Sequence, residues 1–418
     1  MSTRAVGMKG KGTTVVTAYV LCWLAGWAAG LAATLAPSYL QAIAQTFFDT
    51  SSTEASGNVG AWLQTAFLGG QIIGGVLLGF TADRINRFVT MAIAVLFCIG
   101  ALFLMTLMPT LELAALMRMF SGMGAGGCLV LGATIGREII PAKRQPLLMG
   151  VMANSYAVGI VCMGAMRSMI PDWQTAATLS SVCLVIVPLL ILMRHRQKTI
   201  ADGHGHTDMD DHASTEFPWS PALQGMVLFG CMLIGLWTVF TWLPAWAQQV
   251  HGAKEGLSGI AGTTTMSLGM GGIIGSLFTG VVAKRFHPLA IMISCNAVCV
   301  VMVIVSTMTG TPSATMFPLI SLFFALAFGV SQGVLTYYIP TLFPRRWRGT
   351  GVGMSFNAGR LLTMIALFVG GTFLISVGGF RNALQFGLLP FGAGLVSAFF
   401  ILHRQGATSV ELGRQGAS

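Results

Sequence analysis

One arginine lies near the middle of an apolar run, where a charge is costly. Arg360 follows about ten residues of the run that begins near residue 350, or roughly 15 Å of helix. Asn357 precedes it by three residues, so both side chains can share one helical face. Arginine offers a planar fork of donors that binds a carboxylate through two hydrogen bonds. The pair predicts a site for an organic anion, and a gating or scaffold role for Arg360 is the alternative.

Other polar side chains inside apolar runs are candidates to line the same cavity. Arg118 shares a helical stripe with Gly122 and Gly126, and a charge inside a membrane is a functional candidate by default. Snorkelling of Arg118 to the interface is the alternative. Arg167 ends the next run and is interpreted as an interfacial anchor. The amide and aromatic candidates for substrate binding, for which helix packing is the alternative, are Asn154, Gln332 and Trp27.

Acidic side chains do not occur well inside any apolar run. A buried carboxylate with a raised pKa is the obvious proton carrier, and no histidine lies in the middle of a run either. Proton coupling would therefore need arginine-linked water or the carboxylate of the substrate.

The elements that must position these residues are membrane helices. The chain is 54% hydrophobic and 9% charged, whereas a soluble domain carries about a quarter charged residues. Its apolar runs recur at the roughly 20-residue length that crosses a bilayer as a helix. The short alternating segments of a β-barrel do not occur. We expect an all-α integral membrane protein that is surrounded by lipid.

Twelve apolar runs predict twelve transmembrane helices. The first run is long and lacks a convincing small-residue cleavage site, so it is interpreted as a helix rather than a signal peptide. The expected spans are 15–38, 60–80, 89–108, 113–135, 147–168, 175–193, 222–247, 259–283, 289–309, 315–338, 350–375 and 382–402.

Basic residues predict the orientation. Most lysines and arginines fall in the loops on the side of both termini, and the other side keeps only Arg167, Lys254 and Arg381. This bias places both termini in the cytoplasm and the chain in the inner (plasma) membrane. The net charge of +10 is scattered over short loops, so it reflects topology and gives no evidence for a nucleic-acid partner.

The chain contains an internal repeat with an offset of about 200 residues. The run LGGQIIGGVLLGFTADR matches LGMGGIIGSLFTGVVAKR, and Pro37 corresponds to Pro244. Asn154 corresponds to Asn357. The repeat predicts two pseudo-symmetric six-helix bundles, 1–193 and 222–418, joined by a cytoplasmic linker at 194–221. Such proteins bind substrate between their halves near the bilayer midplane.

Three segments carry a family resemblance. The loop at 79–88 reads GFTADRINRF and resembles the pattern G-x-x-x-D-R-x-G-R, with Asn86 in place of a usual glycine. The segment at 118–127 reads RMFSGMGAGG and resembles an arginine followed by glycines in a fourth helix. The stretch at 343–360 reads FPRRWRGTGVGMSFNAGR and is similar to transporters of organic acids, including aromatic acids and sialate. Through these segments the chain resembles the major facilitator superfamily, and the resemblance extends over nearly its whole length.

The resemblance implies a role for Arg118 in handling substrate or protons. Organic-acid symporters of this kind often carry aspartates in the first helix, where this chain reads AGWA at 25–28. This departure leaves uniport and anion exchange open beside proton symport.

The loop at 83–87 is a candidate cytoplasmic gate. Asp83, Arg84 and Arg87 lie in it, and Glu138 and Arg144 lie near the next loop on the same side. An aspartate here can stabilise the positive N-terminal end of a facing helix. The resemblance implies a latch for the outward-open state. Topogenic charge is the alternative, and it explains the arginines without explaining Asp83.

We expect a secondary active or facilitated transporter that imports a small organic anion by alternating access. A drug or metabolite exporter with proton antiport is the alternative, although the fifth run lacks the proline of typical exporters. No P-loop or nucleophile motif occurs, so we expect no enzyme activity and no cofactor. We also expect a functional monomer. The segment 204–212 reads HGHTDMDDH and carries His and Asp residues, and a solvated linker is favoured over a metal site.

Overall fold

The fold is built from twelve helices that are long and apolar enough to cross a membrane. The computed structural model describes residues 2–50, 52–140, 144–196, 216–254, 259–308, 310–344 and 347–415, and no strand occurs among them. The twelve helices are α1 (Thr14–Ser38), α2 (Thr53–Ala82), α3 (Arg87–Met105), α4 (Leu111–Gly136), α5 (Leu148–Met169), α6 (Trp173–Leu192), α7 (Trp219–His251), α8 (Ile260–Val282), α9 (Pro288–Met308), α10 (Met316–Thr341), α11 (Thr350–Phe373) and α12 (Gly378–Arg404).

These bounds confirm the twelve expected spans and extend several of them. Helical backbone continues outside the apolar core, for example from Ser2 into α1 and from α2 to Arg84. The sequence placed the start of α2 seven residues late, because the polar first turns of this helix hide it from hydropathy. The His and Asp segment at 204–212 lies outside the described residues.

Polar caps start several of the helices at the membrane surface. The Ser52 and Thr110 side chains accept hydrogen bonds from backbone N–H groups in the first turns of α2 and α4. Asn86 accepts from the first turn of α3, and Asp172 does so for α6. Such caps satisfy N–H groups that have no partner inside the helix. Hence a polar residue in the preceding loop fixes where each of these four helices begins.

Small residues let neighbouring helices approach closely in both halves. A Cβ atom added to Gly74 on α2 would lie 2.0 Å from the Met123 carbonyl oxygen on α4. The repeat equivalent of this residue, Gly275 on α8, has the same relation to Leu326 on α10, at 2.2 Å. Membrane helices associate through such close backbone packing. The sequence repeat is therefore a repeat of helix packing, and the chain forms two pseudo-symmetric six-helix bundles.

The two bundles contact each other mainly through α5 with α8 and α2 with α11. We call the side with both termini the basic face and the other side the opposite face. Near the opposite face, the Ser38 hydroxyl lies 3.2 Å from that of Thr265, and Gln249 Nε2 donates to Thr53 Oγ1 at 2.6 Å. The bundles are therefore joined at the opposite face.

Three glycines near the basic face border open space. A Cβ atom added to Gly150 on α5, Gly280 on α8 or Gly353 on α11 would meet nothing within 4 Å. The described contacts thus close the bundles against each other at the opposite face, whereas these glycines leave space near the basic face.

Candidate functional site

Arg360 lies in the middle of α11, as the sequence predicts. Its Nη1 donates to Asn357 Oδ1 at 3.2 Å, one helical turn earlier. Both side chains are partly exposed. No carboxylate of the described residues lies within ion-pair distance of this guanidinium. The geometry therefore presents an oriented cation without a protein counter-ion, which can bind an anion through its remaining donors.

Tyr156 on α5 interacts electrostatically with Arg360 of the other bundle and with Arg118. Its hydroxyl also forms a hydrogen bond with the Gln71 side chain. Tyr156 and Gln71 are among the aromatic and amide residues of the apolar runs. The interaction of Tyr156 with Arg360 could not be read from the sequence, because it joins α5 to α11.

Asn154 lies at the contact between α5 and α8. Its Oδ1 accepts a hydrogen bond from the Ser276 hydroxyl at 2.5 Å, and both side chains are partly exposed. This bond joins the two bundles nearer to the basic face than the contacts of Ser38 and Thr265. Sequence reasoning missed Ser276, since a hydroxyl inside an apolar helix commonly bonds its own backbone.

Gln332 and Trp27 occupy two further helices beside the interface. Gln332 on α10 is partly exposed, and its buried Nε2 has no hydrogen-bond partner among the described residues. Trp27 on α1 is also partly exposed, with Nε1 3.4 Å from Cys162 Sγ on α5. Gln332 therefore leaves a polar donor available, and Trp27 supplies an aromatic surface.

Aromatic rings continue across the interface between the bundles. The ring of Phe67 on α2 meets Trp237 on α7 edge to face at 6.4 Å, and Trp62 meets Phe368 in the same way at 5.9 Å. Rings in such contact provide apolar area with fixed geometry.

Arg118 is placed differently from Arg360. It is fully buried, and its guanidinium lies 4.2 Å from the centroid of the Phe67 ring. Its Nη1 and Nη2 atoms donate to the carbonyl oxygens of Ala32 and Ala33 on α1, and Nη2 also donates to Gln64. All its hydrogen bonds in this conformation stay inside the first bundle.

The gate candidates gather at the basic face of the first bundle. Arg87 forms an ion pair with Glu138, and Arg84 is exposed with its guanidinium 4.0 Å from the Phe80 ring. Arg144 is exposed. Asp83 is the penultimate residue of the helix Thr53–Arg84, and its side chain lies outside the described residues. The ion pair and the ring contact both lie within the first bundle.

Two helical bundles that close against each other at one face and share a polar interface are the architecture of a membrane transporter. The chain belongs to the Major Facilitator Superfamily, whose profile matches residues 18–367.

Curated relatives and solved structures agree with this membership. The chain is 23% identical to the 4-hydroxybenzoate transporter PcaK of Acinetobacter baylyi over 81% of both chains. It is 25% identical to the cis,cis-muconate transport protein of the same organism, over 86% of this chain and 87% of the other. A structure of the xylose transporter XylE from E. coli, described as inward open, shares the fold. Its TM-score is 0.72 at 17% identity, covering 93% of this chain and 95% of that chain.

Proposed function

We propose that the protein imports a small organic anion with a carboxylate across the inner (plasma) membrane by alternating access. The observation that carries this proposal is Arg360, which lies in mid-helix, is partly exposed and has no carboxylate partner in the described part of the chain. A charge at this depth is expensive. An anionic substrate would neutralise it, and its carboxylate fits the guanidinium fork.

The relatives support an unsaturated or aromatic acid as the substrate. Two of them are named for transport of 4-hydroxybenzoate and of cis,cis-muconate. Tyr156, Trp27 and Trp237 place aromatic side chains near the same interface. A flat apolar body would pack on such rings while its carboxylate binds Arg360.

The other candidate residues have distinct roles in this proposal. Asn357 orients Arg360, and Asn154 joins α5 to α8 through Ser276. The Gln332 Nε2 donor is available to a second polar group of the substrate. Trp27 lines the site.

The basic face is cytoplasmic in this proposal, so the structure is inward-facing. Import would begin when the contacts at the opposite face break and those at the basic face form. We assign the closure at the basic face to the latch residues Asp83, Arg84, Arg87, Glu138 and Arg144. An acidic side chain at the end of α2 would then meet the positive N-terminal end of a facing helix.

Either a substrate gradient or a proton gradient drives uptake. The acidic residues of the spans lie only in first turns, at Glu54 and Glu112. A coupled proton would therefore enter with the carboxyl group of the substrate or through arginine-linked water. The site lies between the two halves of one chain, so a monomer contains all of it.

Uptake by reconstituted proteoliposomes tests the proposal. We expect uptake of 4-hydroxybenzoate or cis,cis-muconate and none of xylose, and an imposed pH gradient reveals whether protons are coupled. Arg360→Gln removes the counter-ion and should abolish uptake. Arg285→Gln removes an exposed charge at the basic face and is the matched control. Xylose transport, or full uptake of the acids by Arg360→Gln, would overturn the proposal, and release without uptake would indicate an exporter.

A further inference from the structure

Helix α1 is interrupted next to the closed face. Pro37 lies within its last turn, and a proline has no N–H to donate to the carbonyl oxygen four residues earlier. That oxygen belongs to Ala33. Helix α1 ends at Ser38, Tyr39 has φ −115 and ψ 20, and a short helix, Leu40–Phe48, follows. We call residues 37–41 the gate segment.

Two arginines from other helices bond the backbone on either side of this interruption. Arg118 of α4 donates to the carbonyl oxygens of Ala32 at 2.5 Å and Ala33 at 2.9 Å. The second of these carbonyls is the one that Pro37 leaves without a helical donor. Arg167 of α5 donates from Nε to the Ser38 carbonyl oxygen at 3.1 Å. The two side chains therefore hold the backbone just before and just after the proline.

Both arginines are buried without a carboxylate among the described residues. Arg118 is 0% exposed and Arg167 is 8% exposed. Aromatic rings contact both guanidinium groups in addition to the carbonyl oxygens. Arg118 lies over the Phe67 ring, and the Arg167 guanidinium lies 5.1 Å from the centroid of the Tyr39 ring. The interpretation of Arg167 as an interfacial anchor thus misses its main contact, because its Nε–H is bonded inside the protein.

The gate segment makes two of the contacts that close this face. The Ser38 hydroxyl bonds the Thr265 hydroxyl of α8 at 3.2 Å. Gln41 Nε2 donates to the Ala245 carbonyl oxygen of α7 at 3.2 Å. Both partners belong to the second bundle. The position of the segment after Pro37 therefore decides whether these two bonds can form.

We infer that Arg118 and Arg167 are positioning residues that hold the gate segment against the second bundle, and that Arg118 acts on the closed state rather than on the substrate. Holding the bent backbone on both sides of Pro37 fixes the direction in which Ser38 and Gln41 point. A freed carbonyl inside a membrane needs a donor, and Arg118 supplies it. This dependence ties the role of Arg118 to Pro37.

The second bundle lacks the corresponding arginine. Pro244 on α7 corresponds to Pro37, but the repeat equivalent of Arg118 is Ser321 on α10. The Ser321 hydroxyl donates to the Phe317 carbonyl oxygen of its own helix. The arginine contacts are therefore specific to the first bundle, where the gate segment lies, and Pro244 provides a matched control.

A double-mutant cycle between Arg118 and Pro37 tests the inference. Ala245→Cys reports whether the closed face opens, because Ala245 is 2% exposed behind the gate segment. The introduced cysteine is labelled with a membrane-impermeant maleimide. Labelling of the protein with its native cysteines alone gives the background. Arg118→Gln should raise the labelling rate at least threefold. Pro37→Ala restores an N–H for the Ala33 carbonyl. In this background Arg118→Gln should raise the labelling rate by less than half as much. Pro244→Ala should leave the effect of Arg118→Gln unchanged.

The inference rests on the proposed function for its binding readout, and binding of 4-hydroxybenzoate separates the two. Arg118→Gln should keep the Kd within about threefold, while Arg167→Gln should raise labelling as Arg118→Gln does. The inference would be overturned if Arg118→Gln raised the labelling rate equally with and without Pro37. It would also be overturned if Arg118→Gln lost binding of 4-hydroxybenzoate while its labelling rate stayed unchanged. If Arg118→Gln fails to insert, recovery of its yield by Pro37→Ala supports the inference and no recovery contradicts it. A wild-type protein that binds no acid refutes the proposed substrate while leaving the labelling cycle interpretable.

Discussion

Asn357 accepts a hydrogen bond from Arg360 at 3.2 Å, so an amide one turn away orients the guanidinium in the middle of α11. The same arginine interacts electrostatically with Tyr156 of the other bundle. This arrangement gives the interface between the bundles a fixed positive charge. It also links the proposed substrate to both halves of the transporter.

Asn357→Ala should weaken binding modestly. It removes one neutral acceptor that orients Arg360, and a typical hydrogen bond contributes about 0.5–1.5 kcal/mol. We expect the Kd for 4-hydroxybenzoate to rise roughly two- to tenfold, measured by equilibrium binding in detergent. Asn154→Ala is the repeat-related control, because it loses the bond to Ser276 without touching Arg360. A larger loss in Asn154→Ala than in Asn357→Ala would contradict the assignment of the orienting role.

Gly74→Ala should destabilise the first bundle. The added Cβ would lie 2.0 Å from a backbone oxygen of α4, and overpacking of this kind costs about 1–3 kcal/mol. We expect a lower thermal unfolding midpoint in detergent. Gly150→Ala is the control, since its Cβ would meet nothing within 4 Å, and it should be neutral. Equal midpoints for both variants would show that α2 and α4 do not pack as described.

Labelling of single introduced cysteines tests the orientation. The distribution of the basic residues predicts that both termini and the 194–221 linker are cytoplasmic. We expect Ser214→Cys to resist an impermeant maleimide in intact cells and to react after permeabilisation. Thr50→Cys lies exposed beside the opposite face and should react from outside. Efficient outside labelling of Ser214→Cys would reverse the topology.

Asp83→Asn should favour the inward-facing state. The change removes the charge that we assign to closure at the basic face, while the Arg87–Glu138 ion pair remains. We expect faster labelling of Gly353→Cys, which lies in open space near this face, from the cytoplasmic side of inverted vesicles. Asp49→Asn, an acid-to-amide change beside the opposite face, should have no effect. Unchanged labelling in Asp83→Asn would leave the loop with a topogenic role only.

The sequence predicts well what depends on local periodicity. Arg360 and Asn357 share a helical face because they are three residues apart on one helix, and hydropathy alone locates the twelve helices. The repeat also predicts that Gly74 and Gly275 pack alike.

Contacts between distant helices could not be predicted in the same way. The partners of Arg118 are backbone carbonyl groups on α1, which carry no sequence signal, and the effect of Pro37 on Ala33 becomes relevant only once α4 packs there. The bond between Ser276 and Asn154 joins residues 122 positions apart. The closed face likewise depends on how the two bundles dock, which no single helix determines.

Equilibrium binding of 4-hydroxybenzoate to Arg360 variants tests the central claim most directly. Arg360→Lys keeps the charge but loses the fork, so it should weaken binding measurably. Arg360→Ala should nearly abolish binding, because removing one partner of a desolvated pair costs roughly 2–5 kcal/mol. Arg285→Gln, at the basic face, should bind as the wild type does. Full binding by Arg360→Ala, with transport alone lost, would contradict the counter-ion assignment and make Arg360 a gate residue.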